Sequence, residues 1–464
     1  MVLRAGLLWL IAACFLPLAA GANVDESPRP LPRPAGAVPA PVAPGPPAVT
    51  RAATESDQHD RQALVVFAPA TSRHPLARPQ TLRRAAPTVT ASGNAEFDRW
   101  LAGFRGRALA AGISARTFNT AFAGIRPDDD ILRRESQQPE FSRPIWEYLD
   151  SAVSQARIDN GRRALREHRR LLDEIEARYN VDREVIVAVW GLETSYGTLR
   201  GRTPIIPALA TLAMSSRRGD FYEAQLIGAL QIIQTGDVDA SHMVGSWAGA
   251  MGHTQFIPTS YLAFAVDFRG DGRRDIWSED PTDSLASTAA YLAHHGWQRG
   301  APWGIEVRIP RDFNPRLANT RRDVAEWVRL GLTAQPGLSL PRSGEATLLF
   351  PAGSQGPAIL AFQNFRVIKR YNNADAYAIA IGHLADRLRD GGGFVASWPR
   401  GDRPLSRSER EELQRLLARA GHYDGTIDGR VGQGTLSAVR DWQAQNGLPP
   451  DGYVSLALLE RMRR

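Results

Sequence analysis

The residues from Val185 to Gly197 read V-I-V-A-V-W-G-L-E-T-S-Y-G, an apolar run with one carboxylate, Glu193, set into it. Ile186, Val189 and Trp190 precede Glu193 by seven, four and three residues. On a helix those spacings put all four on one face. A carboxylate on an apolar face costs free energy unless it is neutral or paired. Desolvation raises its pKa, and a carboxylic acid that keeps its proton near neutrality can act as a general acid. The same spacing also suits a glutamate at the end of a core helix, near enough to water to stay charged. Spacing alone leaves both readings open.

The chain has 464 residues, room for two or three domains, and at 43% hydrophobic and 23% charged it has the composition of a folded protein. Its net charge is +7, and residues 1–94 hold nine arginines and no lysine against five carboxylates, which places +4 of the excess there. A basic balance suits nucleic acid, anionic lipid or an anionic wall polymer. The sequence carries no RNA-binding aromatic signature and no dense basic helix, which argues against nucleic acid. Cys14 is the one cysteine, so no intrachain disulfide exists. Residues 1–22 read as a signal peptide: Arg4, an apolar run from Ala5 to Ala13 too short to span a bilayer, and a cleavage site at Ala20-Gly21-Ala22. Ile11-Ala12-Ala13-Cys14 also resembles a bacterial lipobox, which would put a lipid on Cys14. The expectation is an exported, periplasmic protein, with outer-membrane anchoring by that lipid as the alternative.

From Asn23 to Val49 nine prolines stand among alanines and valines, a composition that favours an extended tether, here drawn to residue 94. Ordered structure is expected from Ala95, where Glu96 to Leu101 and Phe104 begin an amphipathic helix. Ser151 to Tyr179 reads as one long helical pattern, and Asp182 as the N-cap of the Glu193 helix. Further helices are expected over Thr203 to Ala213 after its second proline, Phe221 to Thr235, Pro258 to Val266, Ser284 to His295 and Tyr377 to Leu388. Between Pro302 and Pro351 the pattern changes: Ile305 to Ile309 and Ala346 to Phe350 alternate like strands, Ala358 to Phe362 more weakly, with a short helix over Asp323 to Leu330. Residues 396–403 read as a linker and 404–464 as a separate module. The fold class is therefore mainly α with a small α/β insert, and a monomer is expected.

G-L-E-T-S-Y-G, together with G-S-W-A-G-A-M-G-H-T-Q-F-I-P-T-S-Y further on, resembles the membrane-bound lytic murein transglycosylase B family over about residues 95–395. The run from Leu413, L-Q-R-L-L-A-R-A-G-H-Y-D-G-T-I-D-G, continuing to L-P-P-D-G, resembles a three-helix peptidoglycan-binding domain. The resemblance implies a lysozyme-like catalytic domain whose partner is the glycan strand of peptidoglycan. It implies cleavage of the β-1,4 bond after N-acetylmuramic acid with formation of a 1,6-anhydro ring. One glutamate, here Glu193, would act as acid and then base. Ser246, Gln255, Tyr291, Tyr371 and Tyr377 match groove positions of the family, where tyrosine rings pack on sugars and hydroxyls bond to them.

The resemblance implies no required cofactor. Asp267 to Asp275, D-F-R-G-D-G-R-R-D, resembles the calcium loop of some members, with Asp267, Asp271 and Asp283 as the candidate ligands. Arg269 stands where an oxygen ligand belongs, which opposes calcium. Two rivals remain: a hydrolytic muramidase, which needs a second carboxylate such as Glu223 or Asp237, and a non-catalytic wall-binding scaffold.

Overall fold

The computed structural model describes residues 89–136 and 143–464. The leader with Cys14 and the proline-rich stretch up to residue 88 lie outside the described residues. Among the described residues no helix is long and apolar enough to cross a membrane.

The helix Arg183–Thr194 is the axis of the catalytic part. Val185 through Trp190 are all buried, so its apolar residues surround it instead of lining one face. A helix apolar all round belongs in a core. Four helices pack on it: Gln155–Glu167, Arg169–Tyr179, Thr282–His294 and Asp375–Leu388. Each large apolar side chain buried here stabilises the fold by roughly 1.5–3 kcal/mol. A second group of helices, including Ala95–Ala110, Ile205–Ser215, Gly219–Thr235 and Pro258–Phe264, extends the same core. Asn94 caps the first of these, its side chain accepting from the amides of Glu96 and Phe97.

Three expectations change. The pattern from Ser151 to Tyr179 is not one helix: Ile145–Ala152 ends before Ser154, and the rest breaks at His168, with φ −101° and ψ 21°. The break lets Leu172 and Ile175 turn into the core while the imidazole of His168 meets the Trp190 ring edge-on at 5.4 Å. Asp182 occupies the N-cap position but makes no capping bond. Its carboxylate accepts from Trp297 Nε1 (2.8 Å) and from the amide of Gly300 (3.2 Å), and Glu176 accepts from the Arg183 amide instead. The helix Ile205–Ser215 starts before its second proline, because Pro207 falls in the first turn, where a missing amide hydrogen costs nothing.

The insert is a five-stranded antiparallel sheet ordered Arg321–Asp323, Glu345–Leu349, Ala358–Ala361, Gly304–Arg308 and Thr333–Ala334. The two- and three-residue edge strands carry no alternation to read. The helix Val324–Arg329 covers the sheet, with Trp327 fully buried and donating to the Ala346 carbonyl at 3.0 Å. On its other side, buried Glu306 accepts from the amides of Val395 and Ala396, both at 2.7 Å.

The C-terminal module has its own core of Leu405, Leu413, Leu417, Val439, Leu458 and Leu459. Two buried glutamines each brace a turn. Gln414 accepts from the amides of Asp428 and Gly429, and Gln443 accepts from Gly452 while donating to Asp451. Asp451 also accepts from the amide and hydroxyl of Ser354 at 2.8 Å each, which fastens the module to the insert.

Candidate active site

Glu193 lies in the last turn of its helix, 4% exposed. The Tyr377 hydroxyl donates to its carboxylate at 2.6 Å. Burial pushes the Glu193 pKa up to about 8, and the Tyr377 bond opposes that shift without cancelling it. No arginine, lysine or second carboxylate is among the groups acting on it. The chemistry of such a site is that of a neutral carboxylic acid able to give up one proton and take it back.

The backbone after the acid turns sharply: Ser195, Tyr196 and Gly197 are all left-handed, with φ of 50°, 60° and 82°. The Tyr196 ring explains how two non-glycine residues are held there. It fills a slot between Gly161 and Gly191, and a Cβ on Gly191 would lie 2.6 Å from the ring. Its hydroxyl donates to the Arg157 carbonyl at 2.7 Å.

The loop 244–256 folds back onto this turn. Thr194, next to the acid, donates to the His253 carbonyl at 2.6 Å. Trp190 Nε1 donates to His253 Nδ1 at 3.2 Å, and His253 Nε2 lies 2.9 Å from the Arg200 guanidinium and 2.8 Å from the Ser278 carbonyl. Burial lowers the His253 pKa, in keeping with a neutral ring. Gln255, also left-handed at φ 57°, donates from its amide to the carbonyls of Arg200 and Gly252. A left-handed residue with a side chain costs roughly 1–2 kcal/mol, here offset by those two bonds. Ser246 Oγ accepts from the Ala250 amide at 3.0 Å.

Tyr371 and Tyr291 stand edge to face at 5.1 Å, with Phe256 against both. The Tyr371 hydroxyl donates to the Thr254 carbonyl at 2.6 Å, and Tyr291 donates to that of Arg370. The structure thus joins Tyr377 to Glu193 directly and ties Gln255 and Tyr371 to the loop that leans on the acid's helix. Tyr291 belongs through its ring contact with Tyr371. Sequence reasoning passed over His253, Thr194 and Tyr196. The quoted motifs contain all three, but their work is bonding to backbone and filling space, which no residue type advertises.

Glu223 and Asp237, the candidate second carboxylates, are held elsewhere. Glu223 forms a bidentate pair with Arg107 (2.6 and 2.8 Å), and Asp237 pairs with Arg274 at 2.6 Å. The three candidate metal ligands do not converge among the described residues. Asp267 accepts from the amides of Gly270, Asp271 and Gly272; Asp271 accepts from that of Arg273; Asp283 accepts from those of Phe268 and Asp275. Arg269 turns away to Glu174.

Membrane-bound lytic murein transglycosylase B of Escherichia coli K12 is 32% identical over 271 residues, 56% of this chain and 74% of that protein. A crystal structure of SltB3 from Pseudomonas aeruginosa in complex with NAG-anhNAM-pentapeptide is 50% identical with a TM-score of 0.77, over 80% of this chain and all of that one. The Escherichia coli lytic transglycosylase Slt35 in complex with calcium is 27% identical with a TM-score of 0.56, over 68% of this chain and 98% of that one. Residues 406–462 match the peptidoglycan binding domain family, and residues 96–386 match the transglycosylase SLT domain. The chain belongs to the transglycosylase SLT domain family and is a lytic transglycosylase with a C-terminal peptidoglycan binding domain.

Proposed function

We propose that this lytic transglycosylase cleaves the β-1,4 bond between N-acetylmuramic acid and N-acetylglucosamine in peptidoglycan, with Glu193 making both proton transfers. In the first step the Glu193 proton passes to the glycosidic oxygen as the bond from C1 to that oxygen breaks. In the second, the C6 hydroxyl of the same muramic acid attacks C1 and its proton returns to Glu193. The products are a free N-acetylglucosamine hydroxyl and a 1,6-anhydromuramic end, and no water is consumed. The observation that carries this reading is the environment of Glu193: buried, holding its proton to about pH 8, and met by one phenol.

Tyr377 donates to the carboxylate once the first proton has left. Ser246 retains a hydroxyl hydrogen to give, since its Oγ accepts from Ala250. Gln255 uses its NH2 on the backbone, which leaves Oε1 to receive the N–H of a substrate N-acetyl group. Tyr291 and Tyr371 direct their hydroxyls to backbone carbonyls and therefore serve the saccharide through ring packing. The reaction as written needs no cofactor. The same reading assigns residues 1–22 to export, 23–94 to a tether across the envelope, 95–395 to catalysis, 396–403 to a linker and 404–464 to wall binding. It locates the enzyme in the periplasm, with the fate of Cys14 deciding whether a lipid anchors it.

Mass spectrometry of digested peptidoglycan, run on wild type and on Glu193→Gln, tests this. Anhydro ends from wild type and none from the variant are expected. Reducing ends would make the enzyme a hydrolase, and undiminished cutting by the variant would remove Glu193 from the reaction.

A further inference from the structure

The loop 244–256 and the turn after Glu193 meet at one buried ring. His253 is 2% exposed, and its Nδ1 accepts from Trp190 Nε1, one helical turn before the acid. Its carbonyl accepts from Thr194 Oγ1, and that same Oγ1 accepts from the Gly197 amide at 2.9 Å. The turn presses on the ring: a Cβ on Gly197 would lie 2.5 Å from Nδ1. Nε2 faces the guanidinium of Arg200, whose carbonyl accepts from the Gln255 side chain. One ring thus touches the acid's helix, the turn beyond it and, through Arg200, Gln255. It is not among the groups acting on Glu193 itself.

We infer that His253 is a positioning residue for the cleavage: as a neutral ring it holds the Glu193 side and the Gln255 side of the site in register. This rests on the proposed roles of those two residues. An indole N–H only donates, so Nδ1 carries no proton while the Trp190 bond is made. An imidazolium has a proton on both nitrogens, and would set two N–H groups against each other in the core. The surrounding charges do not welcome a cation. The Arg200 guanidinium stands 2.9 Å from Nε2. Its ionic partner Glu279 is 92% exposed, and Asp280 is engaged by the amide and hydroxyl of Thr282. On the helix side the ring meets Trp190 and, beyond it, His168. Burial, joined by Arg200, holds the His253 pKa below the ordinary histidine value; the Ser278 carbonyl and the two carboxylates pull the other way without prevailing. Once the ring does take a proton, the Trp190 bond is lost and turn and loop shift apart. A misplacement of about 1 Å costs roughly a hundredfold in rate. Glu193 must start protonated, so by itself it gives the rate profile only an alkaline limb. An acid limb therefore belongs to His253, which does not contact the acid.

The test follows kcat/KM against pH for wild type, His253→Asn and His253→Phe. Asparagine keeps an acceptor where Nδ1 stands and cannot titrate; phenylalanine keeps a ring and offers no acceptor. Wild type should fall at least tenfold on the acid side. His253→Asn should lose that limb with the alkaline limb unmoved, whereas a merely structural role would lower activity without reshaping the profile. His253→Phe should be about tenfold slower at every pH, the scale of one lost hydrogen bond. In wild type, one tryptophan indole N–H resonance should shift with the midpoint of the acid limb, a readout that needs no variant to fold. An acid limb retained by His253→Asn, a wild-type profile flat on the acid side, or no indole resonance that follows the limb overturns the inference. An acid limb that behaves as stated, with no alkaline limb beside it, supports the inference and breaks the proposed role of Glu193 instead.

Discussion

At its N-terminal end the helix Arg183–Thr194 meets three carboxylates, Glu176, Asp182 and Glu184. At its C-terminal end it meets one, Glu193. The first group is answered by three arginines: Arg183 and Arg299 on Glu176, and Arg389 on Asp182 and Glu184. The positive end of the helix dipole adds to that support. Glu193 has no cation, a single phenol, and the negative end of the same dipole. Burial is common to Glu176 and Glu193, so burial alone does not decide whether a carboxyl keeps its proton. What separates them is whether charge is compensated. One end spends its carboxylates on holding the helix; the other keeps its carboxyl protonated near neutrality.

The contrast can be broken in four ways. The largest effect should come from Glu193→Gln, a loss of cleavage of about a thousandfold or more with wall binding retained, read in a dye-release assay beside a sedimentation assay. Activity within tenfold of wild type would erase the distinction between the two ends. Next, Arg183→Met leaves Glu176 short of its main partner and should lower stability by about 3 kcal/mol in urea unfolding. A cost below 1 kcal/mol would mean that the N-terminal charges do not hold the helix.

The third test uses pH. Glu193 takes up its proton near 4.5 in the unfolded chain and near 8 in the folded one. Between those values the folded state holds a proton that the unfolded state has released, so this group's contribution to stability falls as pH rises. Glu193→Gln should match wild type near pH 5 and exceed it by a few kcal/mol near pH 8.5. A difference that is constant across that range would mean Glu193 is charged in the fold. The smallest effect belongs to Tyr377→Phe. Losing the donor removes the one influence that lowers the Glu193 pKa. The alkaline limb of the rate profile should move up, with a rate loss of about tenfold. A downward move would contradict the bond's direction.

How much of this was legible in the residues varies by the kind of force involved. The core helix under Glu193 was readable because six apolar residues in a row dictate one, but the burial of the carboxyl itself was not, since the same spacing suits a glutamate that reaches water. The strands at Ile305 and Ala346 were readable from alternation, but the edge strands Arg321–Asp323 and Thr333–Ala334 were not, since two or three residues carry no period. The helix Gln363–Tyr371 was missed because it follows a strand with no turn residue between them. The break at His168 was invisible for another reason: a helical period continues through it, and only packing against Trp190 selects the interruption. Asp182 misled because an aspartate before a helix is a good cap in isolation, yet a tryptophan and a glycine distant in sequence claimed it. Of the site, the tyrosines came from family likeness; their bonds to Thr254, Arg370 and Glu193 depend on contacts across more than seventy residues.

The wedge of Tyr196 between Gly161 and Gly191 has a bearing on how the enzyme comes into being. The ring has no seat until the helix Gln155–Glu167 has docked, and without that seat the left-handed turn beyond Thr194 has nothing to hold it. The position of Glu193 therefore depends on the packing of a second helix and not on its own helix alone.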